Sequence, residues 1–378
     1  MDAVAGLNIA DTVKIESPEH LSDVLREGSE AGTPVIPVGG GTCLSTGHAV
    51  DHEFIALDLS GMSGILDYIP TDMTAGFLAG TPMRIVIERL AENGQELPID
   101  LAPDDAGTIG GLVATGFSGP RRYGQGTLKD LLIGCEYVRG DGLIAKAGGM
   151  TVKNVSGFEI SRMLHSSWGS LAVLTRVNLK VIPKPRVDRT LTWIDADVES
   201  ALARQQRLLE QFSGAIAIQT RQNAGGWGTS IRFTGREPAV DDYQKQATGL
   251  EGEADLDDAS SGIWFVAANS DQHPQLVVSA SAANLAGIAS KLVATAGVRS
   301  LSASYGTGTI RAELDPEAPI TPLLSNLGTP IWMIEGGDDT WKRDVPVWGP
   351  NRPDRTVMQS IKQQFDPANI LNRGRLFI

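Results

Sequence analysis

Two glycine-rich stretches, Pro37-Val38-Gly39-Gly40-Gly41-Thr42 and Gly107-Thr108-Ile109-Gly110-Gly111, stand 70 residues apart and constrain the fold more than any other feature. Residues with small or absent side chains let a backbone turn tightly and aim successive N–H groups at an anion. Two such loops predict the halves of one dinucleotide cradle, with a pyrophosphate as guest. No G-x-G-x-x-G follows a strand and no G-x-x-x-x-G-K-[ST] occurs, which disfavours a Rossmann dehydrogenase and a P-loop NTPase. Three consecutive glycines alone suit a plain tight turn equally well, so the discrimination lies in what accompanies them.

The first glycine loop sits at a strand end. Ser17-Pro18 offers an N-cap and a first-turn proline, Leu21, Val24 and Leu25 share a helical face, and Gly32 stops the helix. Pro34 to Val38 is then a short apolar strand running into the glycines. Further strands are predicted at Phe54 to Leu59 and Ala75 to Ala79, and Thr81-Pro82 is expected to open a helix through Glu92. Gly140-Asp141-Gly142 joins Leu131 to Val138 and Leu143 to Ala147 as a hairpin. In Leu171 to Val181, the residues Leu171, Val173, Thr175, Val177, Leu179 and Val181 fall on one face, predicting a long strand buried mostly on one side.

Pro183-Lys184-Pro185 ends that strand and marks the main domain boundary. A chain of 378 residues is expected to form two domains: residues 1–185, residues 186–335, and a tail, 336–378, that returns to the first. In the second region strands are predicted at Leu191 to Ile194, Ala215 to Ile218 and Ser230 to Phe233, with helices at Val198 to Phe212 and Ala239 to Leu250. A comparable order recurs with Trp264 to Ala267, Gln275 to Ala280, a helix through Asn284 to Thr295, and Thr309 to Leu314. Helices on one face of an antiparallel sheet fit this order, making the class α+β. Glu251 to Ser261 is read as an acidic solvated loop, and Arg355 to Phe365 as a helix.

Lys plus Arg number 32 against 45 Asp plus Glu, a net charge of −13 that repels phosphate backbones and argues against nucleic acid as a partner. Met1 to His20 lacks a basic start with an apolar run, and no apolar stretch approaches the ~20 residues of a membrane span, so a cytoplasmic protein is expected. Only Cys43 and Cys135 occur, without a CxxC, so neither a disulfide framework nor an iron–sulfur or structural zinc site is expected. An iron–sulfur cluster taking electrons from this chain would belong to another protein.

The ordered set is more specific than any single motif. The two glycine loops, then Arg122-Tyr123-Gly124 with Asp130 and Gly134, then Trp168 to Thr175, resemble the FAD-binding domain of the vanillyl-alcohol oxidase/p-cresol methylhydroxylase (PCMH) superfamily. The likeness runs from about Ser17 to Pro185, with an echo in Phe365 to Arg375. Within it, Ser118-Gly119-Pro120-Arg121-Arg122, Lys153 to Phe158 and the short chain are most similar to the smaller flavin subunit of bacterial glycolate oxidases. The resemblance implies a FAD-binding domain of two α/β subdomains and a smaller domain with an antiparallel sheet covered by helices. It implies cofactor contacts from Pro37, Val38, Gly39, Gly40, Gly41 and Thr42, followed by Cys43 and Leu44. On the facing side it implies Pro103, Gly107, Thr108, Ile109, Gly110 and Gly111, then Ser118 and Gly119. Ala172 and Val173 fall at the adenine side, and Asn372 in the tail. Thr42 stands where members with covalent FAD often carry histidine, pointing to non-covalent FAD, and Asn372-Arg373-Gly374 replaces the usual Asn-Pro-Gly.

Oxidising a 2-hydroxy acid needs a cation for the carboxylate, a base for the hydroxyl proton and a hydride acceptor. Arg121, Arg122, Lys153, Arg373 and Arg375 are candidates for the first, although each arginine taken singly suits a surface or structural ion pair better than a substrate clamp. Tyr123 could exchange a proton or simply pack; Arg121, Arg122 and Tyr123 form the candidate catalytic set. Of the histidines, His48 and His52 are i and i+4 but lie in a loop-like setting, and His165 follows Met163-Leu164 in a short helix; no metal site is expected. Cys43 needs no chemical role, and Trp332, Trp341 and Trp348 suit a crevice, an interface or packing. Three readings remain: a FAD subunit working with a larger flavin subunit and an iron–sulfur subunit, peripheral to a membrane through its partners; a self-sufficient dehydrogenase of a small 2-hydroxy acid or alcohol; and a structural subunit whose cradle is empty.

Overall fold

Among the described residues three larger sheets, beside a two-stranded pairing of Gln95–Glu96 with Ile182–Pro183, organise the fold, and their alternating side chains decide where its cavities lie. The computed structural model describes residues 7–102, 106–150, 159–223, 225–258, 264, 273–318, 320–325, 327–328, 331–337, 342–343, 345–350 and 352–376. A three-stranded parallel sheet has Phe54–Asp58 between Ile9–Lys14 and Val35–Val38. A five-stranded antiparallel sheet runs in the order Ile65–Ile69, Thr74–Leu78, Ala172–Lys180, Leu132–Arg139, Ile144–Gly148. The third has eight strands, ordered Asp255–Asp258, Val187–Asp195, Gly226–Gly235, Ala217–Asn223, Val298–Ser304, Thr309–Leu314, Gln275–Ser279, Trp332–Glu335, every recorded pairing being antiparallel.

The helix Pro18–Ala31 forms as its sequence dictates: the Ser17 hydroxyl accepts from His20 N at 3.1 Å, and Gly32 closes it in the left-handed region at φ 68°. It buries Leu21 and Leu25 against Val35 and Leu57, and Ile370 and Leu371 of the returning tail join the same core. The tail is tied in by Val35 N donating to Ile370 O (2.9 Å) and Asn372 N donating to Val35 O (3.0 Å).

Four local expectations change. The second helix spans Met83–Ala91 and starts after Pro82; the Thr81 hydroxyl instead donates to Leu78 O (2.6 Å) and Gly64 O (3.0 Å), pinning the turn beneath the helix. The long strand Ala172–Lys180 is buried on both faces. Its register against the neighbouring strand slips, Tyr137 facing Leu174 but Glu136 facing Arg176. Thr175 is the extra residue of a bulge and reverses the alternation. Ala172 and Leu174 therefore enter the same core as Val177 and Leu179, while Val173 enters the core under the parallel sheet.

The acidic stretch also departs from expectation, because Asp255–Asp258 is an edge strand of the large sheet, with Leu191 opposite Leu256. Its carboxylates suit an edge that must not pair with other chains. Lastly, strands Val298–Ser304 and Trp332–Glu335 escape the sequence reading, since the first is rich in serine with only Leu301 and Ala303 in the core and the second is only four residues long. The strand expected at Trp264 to Ala267 falls almost entirely outside the described residues.

In the large sheet, inward residues such as Leu276, Val278, Leu301 and Ile310 pack on helices Val198–Gln211 and Ala282–Val293. The opposite face is polar and turns toward the glycine loops.

Candidate functional site: a glycine cradle opening onto a polar sheet

The two glycine loops meet. A Cβ built on Gly39 would overlap the Thr108 hydroxyl, and one on Gly40 would overlap the Ala106 carbonyl, so glycine at both positions is a requirement of close approach. Thr108 caps the helix Ile109–Thr115, its Oγ1 accepting from Gly111 N at 3.2 Å. The loops border a cavity of ≈ 120 Å³. Pro37, Gly39, Gly40, Gly41 and Thr42 line one side with Cys43 and Leu44, and Gly107, Thr108, Gly110 and Gly111 line the other. Ala172, Val173 and Asn372 complete it as the sequence suggests. Val38 and Ile109 are buried in the core instead of lining the cavity, and Ser118 and Gly119 line the adjoining cavity. Pro103, Lys153 to Phe158 and Trp341 lie outside the described residues.

The loops are unequal in what they offer. Among the described residues, Gly39 N, Gly40 N, Gly41 N and Thr42 N have no acceptor: four successive donors beside the cavity. Three of the second loop's amides are committed inside the protein: Ile109 N donates to Thr81 O (3.0 Å), Gly110 N to Ala79 O (2.9 Å), and Gly111 N to the Thr108 hydroxyl. The second loop therefore supplies a close surface of glycines and Thr108, and the first supplies donors with no acceptor among the described residues. Consecutive donors at a cleft suit the diphosphate of FAD, which brings its own acceptors.

Sequence reasoning misses several walls. Leu112 lies one turn beyond Thr108 and Thr115 one turn beyond Gly111 on the same helix face, a signal present in the sequence. Trp168 and Trp348 meet edge to face, ring centres 5.1 Å apart, and both line the cavity; only the tertiary fold brings them together. Asn372 Nδ2 donates to Trp168 O at 3.0 Å, joining the tail to that wall.

Arg375, a candidate carboxylate clamp by sequence, is 3% exposed and donates to the Leu44 and Thr46 carbonyls, so it braces the first loop. Arg373 donates to Asn369 O at 2.7 Å within the tail's own turn.

A second cavity of ≈ 390 Å³ shares Thr42, Cys43, Leu112, Thr115 and Trp168 with the first and extends over the polar face of the eight-stranded sheet. Of the candidate catalytic set, only Arg122 borders it. Its guanidinium is within 3.4 Å of Ser118 Oγ and of Thr307 O, and burial, then the charge of Arg311, lowers its pKa. Arg121 lies elsewhere: its side chain pairs with Glu96 and reaches Gln125 Oε1 at 2.8 Å, while its backbone N donates to Asp100 Oδ2 at 2.8 Å. Tyr123 lines neither cavity and packs beside the Phe212 and Phe233 core.

Arg221 and Arg311, which the sequence reading did not single out, do border the second cavity. Alternation along two of the strands was the available signal.

The histidines stay apart from this chemistry. Burial, then Lys129, pushes His165 down to about 4, so it is neutral at physiological pH. His48 is held low by burial and by Arg355, Arg375 and Lys342, and His52 by burial and Arg373, surroundings that disfavour a cation. Among the described residues no group of three His, Cys, Asp or Glu is arranged to hold a metal. Burial pushes the Cys135 thiol up to about 12, leaving it inert.

Residues 10–148 match the family model described as a FAD binding domain. The chain is 26% identical over 356 residues to glycolate oxidase subunit GlcE of Escherichia coli, covering 91% of this chain and 93% of that one. It is 32% identical over 174 residues to a D-lactate dehydrogenase of Archaeoglobus fulgidus, but spans only 39% of that protein's length. The solved structure of p-cresol methylhydroxylase with substrate bound superposes with a TM-score of 0.70 over 97% of this chain and 89% of that one, at 15% identity, a likeness of fold. No helix among the described residues is long and apolar enough to cross a membrane. With a FAD-binding domain over residues 10–148, a likeness to glycolate oxidase subunit GlcE along nine-tenths of both chains and the fold of p-cresol methylhydroxylase, this chain is a FAD-dependent flavoprotein with a PCMH-type fold.

Proposed function

We propose that this chain is the FAD-binding subunit of a glycolate-oxidase-like 2-hydroxy acid dehydrogenase, holding FAD without a covalent bond and passing electrons to a partner. The observation that carries this reading is the run of four amides, Gly39 to Thr42, that have no acceptor among the described residues and face the glycines and Thr108 of the second loop in a cleft that opens onto a polar cavity. The likeness to GlcE along nine-tenths of both chains supports the assignment to a subunit of such an assembly. Bound FAD supplies the acceptor for a hydride from C2 as a 2-hydroxy acid becomes a 2-oxo acid. This chain's residues hold the diphosphate at Gly39 to Thr42, shield the cleft with Trp168 and Trp348, and offer Arg122 to a carboxylate. Thr42 offers a hydroxyl and no imidazole for attachment, which supports non-covalent binding.

The purified chain is expected to show the visible flavin bands after FAD is added, and to release FAD into the supernatant on acid precipitation. A chain that takes up no FAD overturns the reading; flavin that stays with the precipitate overturns its non-covalent part. Electron passage is tested by anaerobic mixing with glycolate or D-lactate in the presence and absence of a larger flavin subunit and an iron–sulfur subunit. Full turnover to an artificial acceptor by the isolated chain would favour a self-sufficient enzyme instead.

A further inference from the structure

The sheet face under the second cavity is patterned in rows. Strand pairing sets Arg221 opposite Ser302, and Ser302 opposite Arg311. With neighbouring strands about 4.8 Å apart, the two arginines stand roughly 10 Å from each other with a serine between them. One row along, Thr309 lies opposite both Ser304 and Ser279. On the other side, Glu313 lies opposite Ser300 and Gln275, and Gln275 opposite Glu335. All of these residues border the cavity. A cation row thus runs between a hydroxyl row and a row of carboxylates and an amide.

The charges are not equally available. Arg311 is spent on Glu335, at 2.7 Å, and Glu313 accepts from the Ser300 hydroxyl at 3.1 Å with Arg299 at 3.6 Å. The Arg221 guanidinium makes no hydrogen bond or ion pair among the described residues, and Arg122 reaches over the same cavity with only two 3.4 Å hydrogen bonds, to Ser118 Oγ and Thr307 O. In a chain of net charge −13, two guanidinium groups at one cavity that pair with no carboxylate among the described residues attract an anion. The flanking hydroxyls, amide and carboxylates match a ligand carrying hydroxyl groups, which both donate and accept.

We infer that this cavity takes a polyhydroxylated carboxylate of the sugar-acid type, its carboxylate held by Arg221 and Arg122 and its hydroxyls by the rows that flank Ser302. The inference rests on the reading above for the site's purpose and names the substrate class of that same site.

Isothermal titration calorimetry of the purified FAD-loaded protein with D-gluconate, glycolate and sorbitol tests it. Gluconate should bind about ten-fold more tightly than glycolate, and sorbitol, lacking a carboxylate, more weakly than gluconate. Arg221→Gln should weaken gluconate binding about ten-fold or more, and Ser302→Ala by a smaller factor. Both variants should keep the wild-type flavin content, which checks the fold. Glycolate binding as tightly as gluconate, an unchanged affinity in Arg221→Gln, or no heat with any acid would each overturn the inference. Flavin content reports separately on the cofactor reading: failure of the FAD-loaded wild-type protein to bind gluconate overturns only the substrate class, and absence of FAD overturns the reading beneath it.

Discussion

At the scale of single residues, the cradle depends on missing side chains. Gly40 has no room for a Cβ because the Ala106 carbonyl occupies that space, and the loops can separate only by opening the cavity they enclose. Gly40→Ala is expected to abolish FAD retention while costing a few kcal/mol of stability, on the order seen for overpacking. The ratio of flavin to protein absorbance in the purified variant checks this; wild-type flavin content would show that the loops need not touch. The paired arginines teach a complementary lesson. Arg121 and Arg122 are adjacent and alike in sequence, yet one is 5% exposed in an ion pair with Glu96 and the other overlooks the cavity. Nothing in the residue types distinguishes them, because only the direction of each side chain from its short helix assigns the role.

At the scale of elements, the C-terminal helix Arg355–Phe365 and the tail behind it act as a clip. Lys362 Nζ, buried, donates to Asp366 Oδ2 (2.6 Å), Ser170 O (2.8 Å) and Leu371 O (2.9 Å). Ser170 precedes the strand that carries Ala172 and Val173, and Leu371 precedes Asn372, so one ammonium ties two walls of the cradle together. Asp366 reciprocates by accepting from Ile370 N (3.0 Å) and Leu371 N (2.8 Å). Lys362→Met leaves the Asp366 carboxylate buried without its cation, and is expected to cost about 3 kcal/mol of stability and to weaken FAD binding. Chemical denaturation and FAD titration of the variant check the two effects. The helix itself and the return of the tail were legible, through the amphipathic run and the motif echo. The clip was not, since a lysine four residues before an aspartate reads equally well as an exposed helix pair.

At the scale of the whole molecule, the two regions are joined through a buried ionic cluster. Asp100 accepts from Arg121 N on one side, and Arg232 of the second region approaches it at 3.6 Å while binding Asp188 through two bonds of 2.8 and 2.6 Å. Burial outweighs these partners and raises Asp100 to about 6. Between its ordinary value of 3.8 and about 6 the folded state holds the proton that the unfolded state has lost. Stability contributed by this group therefore falls as pH rises through that window, by about 3 kcal/mol in total. Asp100→Asn keeps an acceptor for Arg121 N and removes the titration. Relative to the wild type, the variant is expected to gain stability progressively from pH 4 to pH 6, as read from unfolding curves at each pH. A difference independent of pH across that range would assign the carboxyl an ordinary pKa.

Short-range chemistry is written in the sequence, and it determined the glycine loops, the Ser17 cap and Gly32 stop, the β-hairpin and the helices of the second region. Each depends on residues within a few positions of one another. The tertiary structure alone decided which loop keeps its amides free, because the acceptors at Ala79 and Thr81 lie far from the second loop in sequence. It alone brought Trp348 onto Trp168, Lys362 onto Ser170, and Arg221 beside Ser302 and Arg311. The bulge at Thr175 shows the same limit within one strand: a single slip in register, set by the neighbouring strand, reverses which side chains reach the core. Cofactor chemistry was therefore local enough to read from the chain, whereas the polar cavity exists only where distant strands place their outward residues side by side.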